Sequence, residues 1–169
     1  MKIIAFILIM LSSTLFGFMI SNGYKARITF FEKLILSLDI IKSELKYGKT
    51  PLEKLLSNIN KNSIILEIGY FSDVENYLKQ SISPEKAFSK ADKKAFEKYS
   101  LKQSDKEILV QIPDIFKNEN SSTALISAEK LIGSIEALTL ELKESFKSKS
   151  KLSKGLGVLF GIFIIIIFI

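Results

Sequence analysis

Gly48, Lys49 and Thr50 form the stretch of this chain that comes nearest to phosphate chemistry, because a Gly-Lys-Thr run closes the loop that cradles nucleotide phosphates. That loop also requires a glycine five residues before Gly48. Ser43 stands there, so the residues do not make a nucleotide site. The same positions have a simpler use. Gly48 is the residue type best able to take the left-handed conformation that ends a helix, and Thr50, Pro51 and Glu53 suit the N-cap, N1 and N3 positions of the next one. Tyr47, Gly48, Thr50, Pro51 and Glu53 are therefore expected to shape one exposed corner between two helices, as a partner interface rather than a catalytic centre.

The rest of the chain offers little for catalysis. It contains no His, no Cys and no Trp, which removes imidazole and thiolate metal sites, His-activated nucleophiles and disulfide scaffolds. Asp and Glu are scattered along charged helical faces without a compact acidic motif. No catalytic residue, cofactor site or metal site is expected, and the chain is expected not to be an enzyme.

Charge points to a surface. All 18 acidic residues and 23 of the 24 basic ones lie between Tyr24 and Lys154, leaving that region at +5 of the chain's +6. Such a balance suits an anionic partner, and the position of the charges beside apolar runs favours lipid headgroups over nucleic acid. Neither a groove-reading module nor an interleaved aromatic and basic platform is present, so no nucleic acid is expected.

The elements that hold these residues are read from hydropathy. Ile3 to Ile20 is an uncharged run of 18 residues, which as a helix spans about 27 Å, close to a bilayer core. A cleaved signal peptide is the rival reading, with Lys2 as its charged start and Ser21, Asn22 and Gly23 as small or polar residues after it. The length of the run and the lack of an A-x-A pattern favour an anchor. Leu156 to Ile169 is also uncharged, and it is short for a crossing unless the flanking lysines snorkel. Lys25 and Arg27 follow the first run, and Lys147, Lys149, Lys151 and Lys154 precede the second. These membrane-flanking basic residues place the middle on the cytoplasmic side. The expected division is residues 1–22 and 155–169 as transmembrane helices, with residues 23–154 as a cytoplasmic helical domain.

Within that domain Ile28, Phe31, Leu34, Ile35, Leu38, Ile41 and Leu45 gather on one helical face. Helix starts are expected at Ser72 with Glu75, at Ser83 with Pro84, and at Ser104 with Glu107. The lysine-rich stretch from Lys86 to Lys102 reads as a solvated helix with a buried stripe through Ala87, Phe88, Ala91, Ala95, Phe96 and Tyr99. Pro113, Asp114 and residues 118–122 mark the clearest break. Beyond it Leu125, Ala128, Leu131, Ile132, Ile135, Leu138, Leu142 and Phe146 define a long amphipathic helix that leads toward the second apolar run. No alternating run suggests a sheet. The expected fold is all-α, an antiparallel helical bundle between an N-terminal and a C-terminal transmembrane helix.

The order of these pieces resembles the stage III sporulation protein AB family. The resemblance runs through Glu44-Leu-Lys-Tyr-Gly-Lys-Thr-Pro-Leu52, the helix start Ser104-Asp-Lys-Glu-Ile-Leu109, and the closing Lys154-Gly-Leu-Gly-Val-Leu-Phe-Gly161. It implies a component of the channel complex between mother cell and forespore, in the mother-cell-derived outer forespore membrane. It also implies a domain similar to the cytoplasmic domains of the inner-membrane platform protein of type II secretion and type IV pilus machines. The implied partners are the secretion-type ATPase of the same complex and other channel membrane proteins, with membrane lipids around the anchors and no small-molecule substrate. The alternative is an independent membrane-anchored helical adaptor, or a holin-like membrane protein unrelated to secretion.

Overall fold

The computed structural model describes the backbone of residues 2–47, 51–117 and 121–168, and within them the side chains other than 2–10, 13–14, 16–17, 47, 121, 149–158, 160–165 and 167–168. Eight helices and no strand occupy the described residues: α1 (Lys2–Tyr47), α2 (Leu52–Asn60), α3 (Ser63–Leu66), α4 (Tyr70–Lys79), α5 (Pro84–Tyr99), α6 (Gln103–Leu109), α7 (Ile112–Lys117) and α8 (Ser121–Phe168). The fold is all-α. Packing divides it into two compact units, Met1–Ile28 with Leu140–Ile169, and Thr29–Thr139.

The Thr29–Thr139 unit is a helical bundle built around an aromatic interior. From α1, Phe30, Phe31, Leu34, Leu38 and Ile41 are completely enclosed. Their i, i+3, i+4 spacing puts them on one side of the helix. Ile35 and Leu45, expected on the same stripe, lie at its margin and are half-buried, whereas Phe30 was not expected there. Phe30 is buried because three rings surround it: Phe31, Tyr70 and Tyr99, with centroids 5.4, 5.9 and 5.0 Å away. The Phe31 and Tyr70 contacts are edge-to-face, at 76° and 86°, and such pairs add about 0.5–1.5 kcal/mol beyond the area they bury.

Helix α5 behaves as its sequence predicts. Ala87, Phe88, Ala91, Ala95 and Tyr99 are buried beneath a lysine-rich outer face, and Phe96 sits half-exposed at the edge. The alanines let α4 and α7 pack closely on α5. In the portion of α8 within this unit, Ala124, Ala128, Leu131, Ile132 and Ile135 are buried, and Leu125 and Leu138 are half-buried.

The helix boundaries correct several expectations. Helix α4 starts at Tyr70 rather than at Ser72, because Gly69 takes the left-handed conformation (φ +70°) that turns the chain into it. Ser72 and Glu75 therefore lie inside the helix, where Glu75 accepts from Asn60 Nδ2 and pairs with Lys79. Ser83 and Pro84 do open α5. Helix α6 begins one residue before Ser104, and its start is held by Asp105, whose Oδ2 accepts from the Lys102 backbone N–H at 2.7 Å. Pro113 is not a break. It occupies the first turn of α7, where its missing N–H costs no intrahelical bond. Residues 118–120 lie outside the described residues.

In the Met1–Ile28 and Leu140–Ile169 unit, the beginning of α1 and the end of α8 continue as helix through both apolar runs. Neither run contains proline, so nothing interrupts the backbone ladder. Among the described residues no helix is long and apolar enough to cross a membrane. Most side chains of the two uncharged runs lie outside the described residues, and the expectation of two spanning helices falls on them.

Candidate partner-binding site

The expected corner is formed where α1 ends and α2 begins. Tyr47 is the last residue of α1, with its side chain outside the described residues, and Gly48 and Thr50 lie outside them as well. Pro51 is exposed and is itself the N-cap of α2 (φ −54°, ψ 143°), its carbonyl accepting from Leu55 N–H at 3.0 Å. The expected arrangement of Thr50 as cap, Pro51 at N1 and Glu53 at N3 is thus displaced by one residue. An extended ψ excludes Pro51 from the helix, and Glu53, exposed, stands in the first turn, where its charge suits the helix dipole. Asn58 Nδ2 donates to Glu44 Oε1 at 3.4 Å and ties α2 back to the last turns of α1.

Beside this corner runs a groove of about 630 Å³ between α1 and α3. One wall is a stripe of α1, Leu36, Asp39, Ile40 and Glu44, at i, i+3, i+4 and i+8. The other is the start of α3, Asn62 and Ile64. Asn62 fixes that wall, because its side-chain oxygen accepts from Ile64 N–H at 3.1 Å and caps the helix. Leu36 and Ile64 are 47% and 52% exposed, two large aliphatic side chains facing solvent across one groove.

A second depression lies between α5, α6 and α7, lined by Phe88, Asp92, Phe96, Lys106, Val110 and Pro113 among others. Asp92 accepts from the Tyr70 hydroxyl at 2.8 Å. Burial holds the Asp92 carboxyl above the ordinary carboxylate range, against the opposing pull of the Tyr70 hydrogen bond and the Lys106 charge. Burial, with the Asp92 charge next to it, pushes the Tyr70 phenol well above its usual value. The pair serves as the partner a buried tyrosine hydroxyl needs. It was not legible in sequence, because the two residues are 22 positions apart and belong to no motif.

The basic flanks divide. Lys25 and Lys147 are exposed, while the side chains of Lys149, Lys151 and Lys154 lie outside the described residues. Arg27 is only 4% exposed. Arg27 and Lys25 are two residues apart on α1 and so project from different sides of the helix.

Fold and site together define an all-helical protein, a bundle with an open groove on one face and long helices at both ends of the chain. The chain belongs to the stage III sporulation protein AB family, which matches it over residues 2–169. It is 25% identical over 168 residues to stage III sporulation protein AB of Bacillus subtilis (strain 168), an alignment that covers 99% of this chain and 98% of that one. A solved structure of stage III sporulation protein AB superposes with a TM-score of 0.60 at 23% identity, covering 72% of this chain and 97% of the other, and so shares its fold.

Proposed function

We propose that this chain is a noncatalytic membrane platform component of the sporulation channel between mother cell and forespore, anchoring or coupling a secretion-type ATPase on its cytoplasmic face. The observation that carries the reading is the continuity of α1 and α8 with the two uncharged runs, whose helical ends share one compact unit. Two such helices side by side suit a membrane hairpin, and the lysines at positions 25, 147, 149, 151 and 154 suit the cytoplasmic side of its neck. The bundle is then a domain on the mother-cell cytoplasmic side. Family membership favours a sporulation role over a holin-like one.

The test is a pair of reporter fusions in sporulating cells, one after Ile169 and one replacing everything beyond Lys117. The hairpin predicts an extracytoplasmic signal from the first and a cytoplasmic signal from the second. A cytoplasmic signal from the first fusion contradicts it.

A further inference from the structure

We infer that the groove between α1 and α3 is a docking site for a cationic amphipathic helix of a partner protein. The inference rests on the platform reading and names the surface and the partner chemistry by which such a platform is engaged.

Three observations carry it. The first is shape. Leu36, Asp39, Ile40 and Glu44 line one side of a regular helix over eight residue steps, about 12 Å, and α3 supplies the facing wall, so the groove holds about two turns of a guest helix. The second is the apolar content. Leu36 and Ile64 stand about half exposed on opposite walls, Ile40 lies one turn on from Leu36, and Leu66 is exposed further along α3. An aliphatic guest stripe at i, i+3 or i+4, and i+7 suits the three aliphatic positions Leu36, Ile40 and Ile64.

The third observation is charge, and it chooses the occupant. The residues lining the groove include Asp39 and Glu44 but no Lys or Arg, on a chain whose net charge is +6. The local sign is therefore opposite to that of the molecule. Lys42 approaches Asp39 at 3.7 Å, a partly exposed pair of the kind that contributes little and yields readily to a better-placed cation. An anionic lipid surface is repelled by the two carboxylates. A second copy of this chain is a poor guest, because its own lysine-rich helix, α5, has its apolar stripe of Ala87, Phe88, Ala91 and Ala95 already buried. A helix from another protein, with aliphatic residues on one face and Lys or Arg beside them, satisfies both the floor and the rim.

The experiment places a photoreactive benzophenone amino acid at position 64 of the full-length chain in sporulating cells. The same probe at position 126, an exposed isoleucine of α8, is the control. Crosslinked peptides are sequenced by mass spectrometry. The expected product joins position 64 to a segment with aliphatic residues at helical spacing and at least two Lys or Arg. Its yield should fall at least about tenfold with Asp39→Lys and Glu44→Lys combined, since like charges then face each other. If that variant does not accumulate, Asp39→Asn with Glu44→Gln gives the same test with a smaller drop. If the cationic segment belongs to a secretion-type ATPase, both the groove and the platform reading stand. If it belongs to another protein, the groove stands and the ATPase coupling falls. Crosslinks to lipid, to a second copy, or to an acidic or uncharged segment overturn the inference. So does a yield no higher than the position 126 control, or one insensitive to the charge changes.

Discussion

Along α1, Phe30, Phe31, Leu34, Leu38 and Ile41 are completely enclosed, whereas Leu36 and Ile40, on roughly the opposite side of the same helix, line an open groove edged by Asp39 and Glu44. Both sides are apolar, and composition alone does not separate them. Their neighbours do. The inner side meets aromatic rings from α4 and α5, which fill the space around Phe30. Along the groove the outer side faces the four-residue helix α3, too short to cover it. One helix thus serves a closed core and an open apolar surface, and the two should respond to substitution in opposite ways.

Phe30→Ala should have the largest effect on stability, a loss of about 3–5 kcal/mol by chemical denaturation, because the cavity is walled by rigid rings that cannot collapse into it. A loss below about 1 kcal/mol would mean that the α1 core is not packed as described. Tyr70→Phe tests the polar contact in the same core. It removes the donor to Asp92 and should cost about 1–3 kcal/mol, read by the same measurement.

Asn62→Ala probes the outer wall, and loss of the cap on α3 should cost about 1 kcal/mol. Asp92→Asn is a test by pH. Burial raises the Asp92 pKa above its ordinary 3.8 in the folded state, so the folded chain holds that proton more tightly than the unfolded one. The stability this provides is complete below the ordinary carboxylate pKa and is lost as pH rises through the raised value. An asparagine still accepts from Tyr70 without ionising. The variant should match the parent in Tm in acid and exceed it near neutral pH, and a difference independent of pH would contradict the assignment. Leu36→Asp should change stability by less than about 0.5 kcal/mol, because its side chain faces solvent. A large loss would show that the groove side belongs to the core.

The same contrast explains what could be read in the sequence. Long stripes were legible: Phe31, Leu34, Leu38 and Ile41 in α1, the alanine and aromatic stripe of α5, and Ala128, Leu131, Ile132 and Ile135 in α8 all repeat often enough to fix a face. Ser83 with Pro84 gave a helix start because proline at N1 has a backbone reason. The short elements were not legible. Helix α3 has four residues and no period, and Gly69, whose left-handed φ turns the chain into α4, carries no cap pattern in the sequence. Of the candidate corner, Pro51 and Glu53 proved exposed as expected, but the groove beside it depends on α3 meeting α1. Sequence spacing says nothing about residues 20 or more positions apart.

Whether the bundle is a platform for a secretion-type ATPase is tested by purification of the tagged full-length chain from gently crosslinked sporulating cells, with its partners identified by mass spectrometry. The account predicts recovery of such an ATPase together with other forespore-membrane proteins. Good yield of the chain with neither would contradict it and leave an independent membrane-anchored adaptor.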